Sequence, residues 1–119
     1  GADAIVVSNH GGRQLDGAPP ALELIPDVAA AVGGRVQVIC DGGIRRGADI
    51  VKAIALGADA AMAGRAYLYA LGAAGEAGVD WLLELFRADV ERTLALLGCR
   101  TCAELGPEHV NWRDVTGRP

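Results

Sequence analysis

The chain has 119 residues, which is room for one domain at most. Half of them are apolar (51%) but only 4% are aromatic, and with 17 glycines this balance fits alternating strands and helices better than an all-β fold. A formal net charge of -4 with singly scattered arginines argues against a nucleic-acid partner, and no apolar run is long enough to span a bilayer. No signal-peptide pattern opens the chain, so the expected setting is cytoplasmic, with peripheral attachment at the inner membrane as the variant.

Gly1-Ala2-Asp3-Ala4 reads as a helix-to-strand turn, and Gly57-Ala58-Asp59-Ala60 repeats it. The repeat implies that the chain is the carboxyl-terminal part of a larger enzyme. Ala4-Ile5-Val6-Val7-Ser8 predicts a strand, since a short uncharged β-branched run is how a strand covered on both faces reads. A Gly-rich loop and Pro19-Pro20 lead to a predicted helix over 21–32, which Gly33-Gly34 ends. Val36-Gln37-Val38-Ile39-Cys40 is the second strand, and a tight 41–47 loop precedes a helix over 48–56 with Ile50, Val51, Ile54 and Ala55 on one face. Ala60-Ala61-Met62-Ala63 is the third strand. A short helix over 66–73 follows, and then a long one over 78–97, where Trp81, Leu82, Leu85, Phe86, Val90, Leu94 and Leu97 recur at a helical period. Its charged residues Glu84, Arg87, Asp89, Glu91 and Arg92 read as a solvated face, and the tail 111–119 reads as irregular.

Three strand-loop-helix units cannot close a sheet alone. The expected host is a (β/α)8 TIM barrel, an α/β fold of which this chain holds the last three β/α units plus carboxyl-terminal helices; a flavodoxin-like open sheet is the alternative. In either fold the loops after the strands carry ligands. The first of them, Ser8-Asn9-His10-Gly11-Gly12-Arg13-Gln14-Leu15-Asp16, puts a proton acceptor and a carboxylate-binding fork directly after a strand. The second, Asp41-Gly42-Gly43-Ile44-Arg45-Arg46-Gly47, has glycines that let backbone amides approach an anion, beside arginines, at a helix N-terminus. Gly64-Arg65 repeats the device one strand later, matching the phosphate site that barrels build after their last two strands.

These three stretches resemble those of the FMN-dependent α-hydroxy acid dehydrogenases and oxidases, the family of L-lactate dehydrogenase, glycolate oxidase and mandelate dehydrogenase. The likeness covers residues 1–110. It implies FMN as cofactor and oxidation of a small L-2-hydroxy acid, lactate-like or mandelate-like, to the 2-oxo acid. By the same resemblance His10 is the catalytic proton acceptor and Arg13 binds the substrate carboxylate. Ser8, Asp41, Gly42, Gly43, Ile44, Arg45, Gly64 and Arg65 hold the cofactor, with Asp41 on a ribityl hydroxyl and Gly64 and Arg65 on the phosphate. Arg46 is left out of this set, being either solvated or paired with Asp49. The resemblance also implies a homo-oligomer at full length and a quinone, a cytochrome or oxygen as electron acceptor. It places a lysine near the flavin, active-site tyrosines and an aspartate orienting the histidine before residue 1, so residues 1–119 alone are expected to be inactive.

Two other readings compete. One is a different phosphate-binding barrel, IMP dehydrogenase-like or isopentenyl diphosphate isomerase-like, using the 41–47 loop without flavin oxidation; the other is a non-catalytic barrel fragment. Cys99-Arg100-Thr101-Cys102 has a C-x-x-C spacing but no second ligand pair, so neither a metal nor a redox role is assigned to it. Cys40 reads as a small buried strand residue, His109 has no motif around it, and Trp81, Phe86, Tyr67 and Tyr69 read as packing residues.

Overall fold

A computed structural model describes residues 1–111. Three parallel strands, β1 (Ala4–Ser8), β2 (Gln37–Asp41) and β3 (Ala60–Met62), lie in the order β1-β2-β3. Between them run α1 (Ala21–Val32) and α2 (Gly47–Ala55), and α3 (Arg65–Leu97) follows β3. The two Gly-Ala-Asp-Ala turns set the entry to the sheet. Asp59 donates its backbone N–H to the Val38 carbonyl at 2.7 Å and accepts the Val38 N–H on its carboxylate at 2.8 Å, while Gln37 donates to the Asp3 carbonyl at 3.0 Å.

Register then decides what the two faces carry. Ile5 pairs with Val38 and Val7 with Cys40, and this face packs on the helices, where Ile25 of α1 and Cys40 are fully buried beside Val38, Ala53 and Leu56. The opposite face is uncovered: Val6 is 52% exposed and Met62 49%. A strand buried on both faces was expected of this run; here the helices lie on one side of the sheet only. An open doubly wound sheet would carry helices on both sides, whereas apolar side chains on the helix-free face are what a barrel turns inward. Sequential order and one-sided helices thus make this a three-strand piece of a (β/α)8 barrel.

Small shifts separate the expected elements from the observed ones. The second strand starts at Gln37 and includes Asp41, and the third ends at Met62. The span Arg65–Leu97 is two helices joined at a kink, as expected, the break falling where Ala74 (φ -149°) and Gly75 (φ 59°) leave helical geometry. After the break, Gly78 lies against the Ala70 carbonyl of the first part, where a Cβ would not fit. Among the described residues no helix is long and apolar enough to cross a membrane. The expected irregular tail lies outside the described residues except for Asn111, which is in no helix or strand.

Candidate active site

Parallel pairing brings Ser8 and Asp41 opposite each other at the carboxyl ends of β1 and β2. Ser8 Oγ donates to Asp41 Oδ2 at 2.7 Å and accepts the His10 N–H at 3.0 Å. Beyond it the chain turns sharply. Asn9 Oδ1 accepts the Gly11 N–H, Gly12 donates to the Asn9 carbonyl, and Asn9 Nδ2 donates to the Pro19 carbonyl, which folds the 8–16 loop back onto the start of α1. His10 lies at φ 51°, the only described residue other than glycine at positive φ.

The exposed His10 ring is fixed by its neighbour four residues on. Its Nδ1 lies 2.6 Å from Gln14 Oε1, and a carbonyl oxygen only accepts, so Nδ1 is the donor of this pair and, in the neutral ring, Nε2 is the acceptor nitrogen. Arg13 follows the His10–Gly12 turn and is exposed. Among the described residues no carboxylate pairs with its guanidinium, Asp16 included.

Sequence reasoning offered the N-terminus of α2 as an anion site, and here the structure corrects it. Asp49 Oδ2 accepts the N–H groups of Arg45 and Arg46 at 3.1 Å each, and Asp89 of α3 accepts that of Ala48 at 3.0 Å. Carboxylates already occupy that helix end. Asp49 pairs with Lys52 at 3.8 Å, and its contact with Arg46 is through the backbone amide. The first turn of α3 is different, since among the described residues no side chain accepts from its amides. Gly64 and Arg65 open that turn, and open space lies where a Gly64 Cβ would stand. Those amides and the partial positive charge of the helix end are left for an anion.

Arg65 reaches back across the sheet end. A Cβ on Gly11 would lie 2.9 Å from Arg65 Nη2, so the guanidinium rests against the backbone of the His10 loop. Together with Asn9, Gly42, Gly43, Ile44 and Asp49 it lines a cavity of about 310 Å³. Gly42 (φ 116°) and Gly43 (φ 77°) adopt backbone angles that side chains rarely reach, and a Cβ on Gly43 would meet nothing. An open glycine cradle, an uncapped helix end and a guanidinium fit the phosphate end of an FMN. Ile44 is buried, while Arg45 is exposed and does not line this cavity.

Other singled-out residues lie away from this site. Cys99 is buried and Cys102 exposed, both are free thiols, and no cluster able to hold a metal occurs among the described residues. His109 does have a neighbour, with Nε2 3.4 Å from Cys99 Sγ and Nδ1 accepting the Gly106 N–H. Tyr67, Tyr69 and Trp81 are exposed rather than packed (43%, 74% and 66%), and Phe86 and Tyr67 line an apolar cavity of about 430 Å³ between α2, β3 and α3. Trp112 lies outside the described residues. Two residues with a part in the site went unread in the sequence: Gln14, signalled only by its spacing from His10, and Asp89, which looked like one more surface charge.

Comparison with known proteins supplies the family. The model of the family described as FMN-dependent dehydrogenase matches residues 1–112. An L-lactate dehydrogenase of Chromohalobacter salexigens is 54% identical over 117 residues, 98% of this chain and 29% of that protein. A pre-mycofactocin synthase of Mycobacterium tuberculosis is 51% identical over 92% of this chain and 28% of its own length. The crystal structure of the monotopic membrane protein (S)-mandelate dehydrogenase superposes with a TM-score of 0.88 at 50% identity, covering 93% of this chain and 29% of that one. The chain thus spans less than a third of the length of each of these three relatives. The chain belongs to the FMN-dependent dehydrogenase family, whose cofactor is FMN.

Proposed function

We propose that the protein oxidises an L-2-hydroxy acid, lactate-like or mandelate-like, to the 2-oxo acid. The observation that supports this most is the His10 ring, whose Nδ1 faces Gln14 Oε1 and leaves Nε2 as the acceptor nitrogen of the neutral ring, at the same sheet end as the glycine cradle. Bound FMN supplies the two-electron acceptor. His10 Nε2 takes the proton that substrate oxidation releases, and the Arg13 fork binds the substrate carboxylate through two parallel hydrogen bonds. Asp41 Oδ1, left over by the bond to Ser8, accepts from a ribityl hydroxyl. Gly42, Gly43 and Ile44 line the cofactor with backbone, Arg45 with its guanidinium and Ser8 with its hydroxyl, while Gly64 and Arg65 hold the phosphate. These residues form the carboxyl-terminal part of one FMN-binding barrel domain, completed by residues outside this chain.

Relatives of different name share this stretch at nearly equal identity, 54% and 51%, so the substrate's side chain has to be read by assay. The electron acceptor is a quinone, a cytochrome or oxygen. Peripheral membrane association is part of the proposal, since one solved relative is a monotopic membrane protein. The test is anaerobic mixing of the FMN-loaded full-length protein with lactate, glycolate and mandelate. Bleaching of the flavin with one 2-oxo acid formed per flavin supports the reading, and a flavin that none of the acids reduces overturns it.

A further inference from the structure

We infer that Asp41 and Ser8 are positioning residues for the base, holding His10 through its backbone in addition to any contact with the cofactor. The inference rests on the reading of His10 as proton acceptor, and it adds to that reading what keeps the residue in place. His10 stands at φ 51°, which costs any residue with a Cβ and persists only where the surroundings enforce it. What enforces it begins 33 residues away. Asp41 accepts from Ser8 Oγ at 2.7 Å, and Ser8 Oγ accepts from the His10 N–H at 3.0 Å, a relay running from the cofactor loop to the base.

Each step has a direction. Asp41, as a carboxylate, only accepts, so the single Ser8 hydroxyl proton is drawn toward it and the Ser8 lone pairs face the His10 amide. A charged acceptor on one side of a hydroxyl strengthens the bond accepted on the other. The strands make the arrangement durable, since Ser8 and Asp41 are register partners in a parallel pair and cannot separate without breaking the ladder. The relay therefore belongs to the sheet rather than to the loop, and the loop's own bonds, Asn9 to Gly11 and Gly12 to Asn9, close the turn around it. One Ser8 lone pair remains, so toward a cofactor Ser8 can only accept; it can meet a ring N–H but not a ring carbonyl.

The test uses the FMN-loaded full-length protein with Ser8→Ala, Ser8→Thr and Asp41→Asn, reading kcat, KM, the FMN dissociation constant and amide hydrogen exchange at His10. Ser8→Ala is expected to lower kcat about tenfold even at saturating FMN, where any weakening of the hydroxyl's contact with the cofactor is made up, while KM for the hydroxy acid changes less than about threefold, because the base is misplaced. Exchange at the His10 amide should accelerate about tenfold, the worth of one hydrogen bond. Ser8→Thr, which keeps the hydroxyl, should restore both, and Asp41→Asn should shift the amide in the same direction by less. Unchanged His10 exchange in Ser8→Ala, or activity fully recovered by added FMN, overturns the relay. Should Ser8→Ala fail to fold, an Asp41→Asn protein with wild-type exchange overturns it equally. If the wild-type protein oxidises no 2-hydroxy acid, the catalytic reading falls while the amide exchange still decides the relay.

Discussion

His10 and Arg13 sit three residues apart on one exposed turn, and their chemistry differs in what a substitution removes. A guanidinium offers two parallel donors in a plane, while an ammonium offers a point charge, so Arg13→Lys keeps the charge and loses the fork. On the proposed function, Arg13→Lys should raise KM for the hydroxy acid about thirtyfold, the value of one charge-assisted hydrogen bond, with FMN affinity unchanged. Steady-state kinetics beside a flavin titration check this; a normal KM would remove Arg13 from the carboxylate site. Both residue types could be read from the sequence, because their chemistry does not depend on exact placement. The positive φ of His10 and the bond to Gln14 could not, since they follow from how Asn9 and Ser8 close the turn.

At the scale of elements, the site depends on α2 and α3 lying close enough for Asp89 to cap the amide of Ala48. Gly47 permits that approach: a Cβ there would lie 2.5 Å from both the Phe86 carbonyl oxygen and the Val90 nitrogen. Neither is a flexible side-chain end. Gly47→Ala should therefore cost about 2–3 kcal/mol by overpacking, and a denaturant titration showing less than about 0.5 kcal/mol would mean that the helices part freely. Punctuation by Pro20 and Gly33 located α1 to the residue, and apolar periodicity placed the second half of α3. It missed the role of Asp89, because a cap delivered from another element leaves no local pattern. Trp81 follows the helical period yet stays exposed; periodicity predicts a shared face, not what covers it.

For the molecule as a whole, one buried group ties stability to pH. Burial, and after it the Asp41 carboxylate, pushes the Cys40 thiol above its ordinary value of 9.0. The unfolded chain then gives up that proton at lower pH than the folded one, so the contribution is intact below about pH 9 and declines as pH rises toward the folded value. Relative to wild type, Cys40→Ala should be less stable at neutral pH from lost packing, with the gap narrowing above pH 9 in thermal melts; a constant gap would mean that the thiol titrates alike in both states. The alternation of strands and helices made a parallel α/β fold legible and left a barrel and an open sheet both standing. What excluded an open sheet was the helix-free face bearing Val6 and Met62, which becomes visible only once register is known.

The central claim is that His10 takes the proton during oxidation of a 2-hydroxy acid on this FMN-binding scaffold. The most direct measurement is the anaerobic rate of flavin bleaching by lactate or mandelate in the FMN-loaded full-length protein, wild type against His10→Asn. The account predicts that both bind FMN and that the variant bleaches about a thousandfold more slowly. A variant that binds FMN and bleaches at the wild-type rate would contradict it.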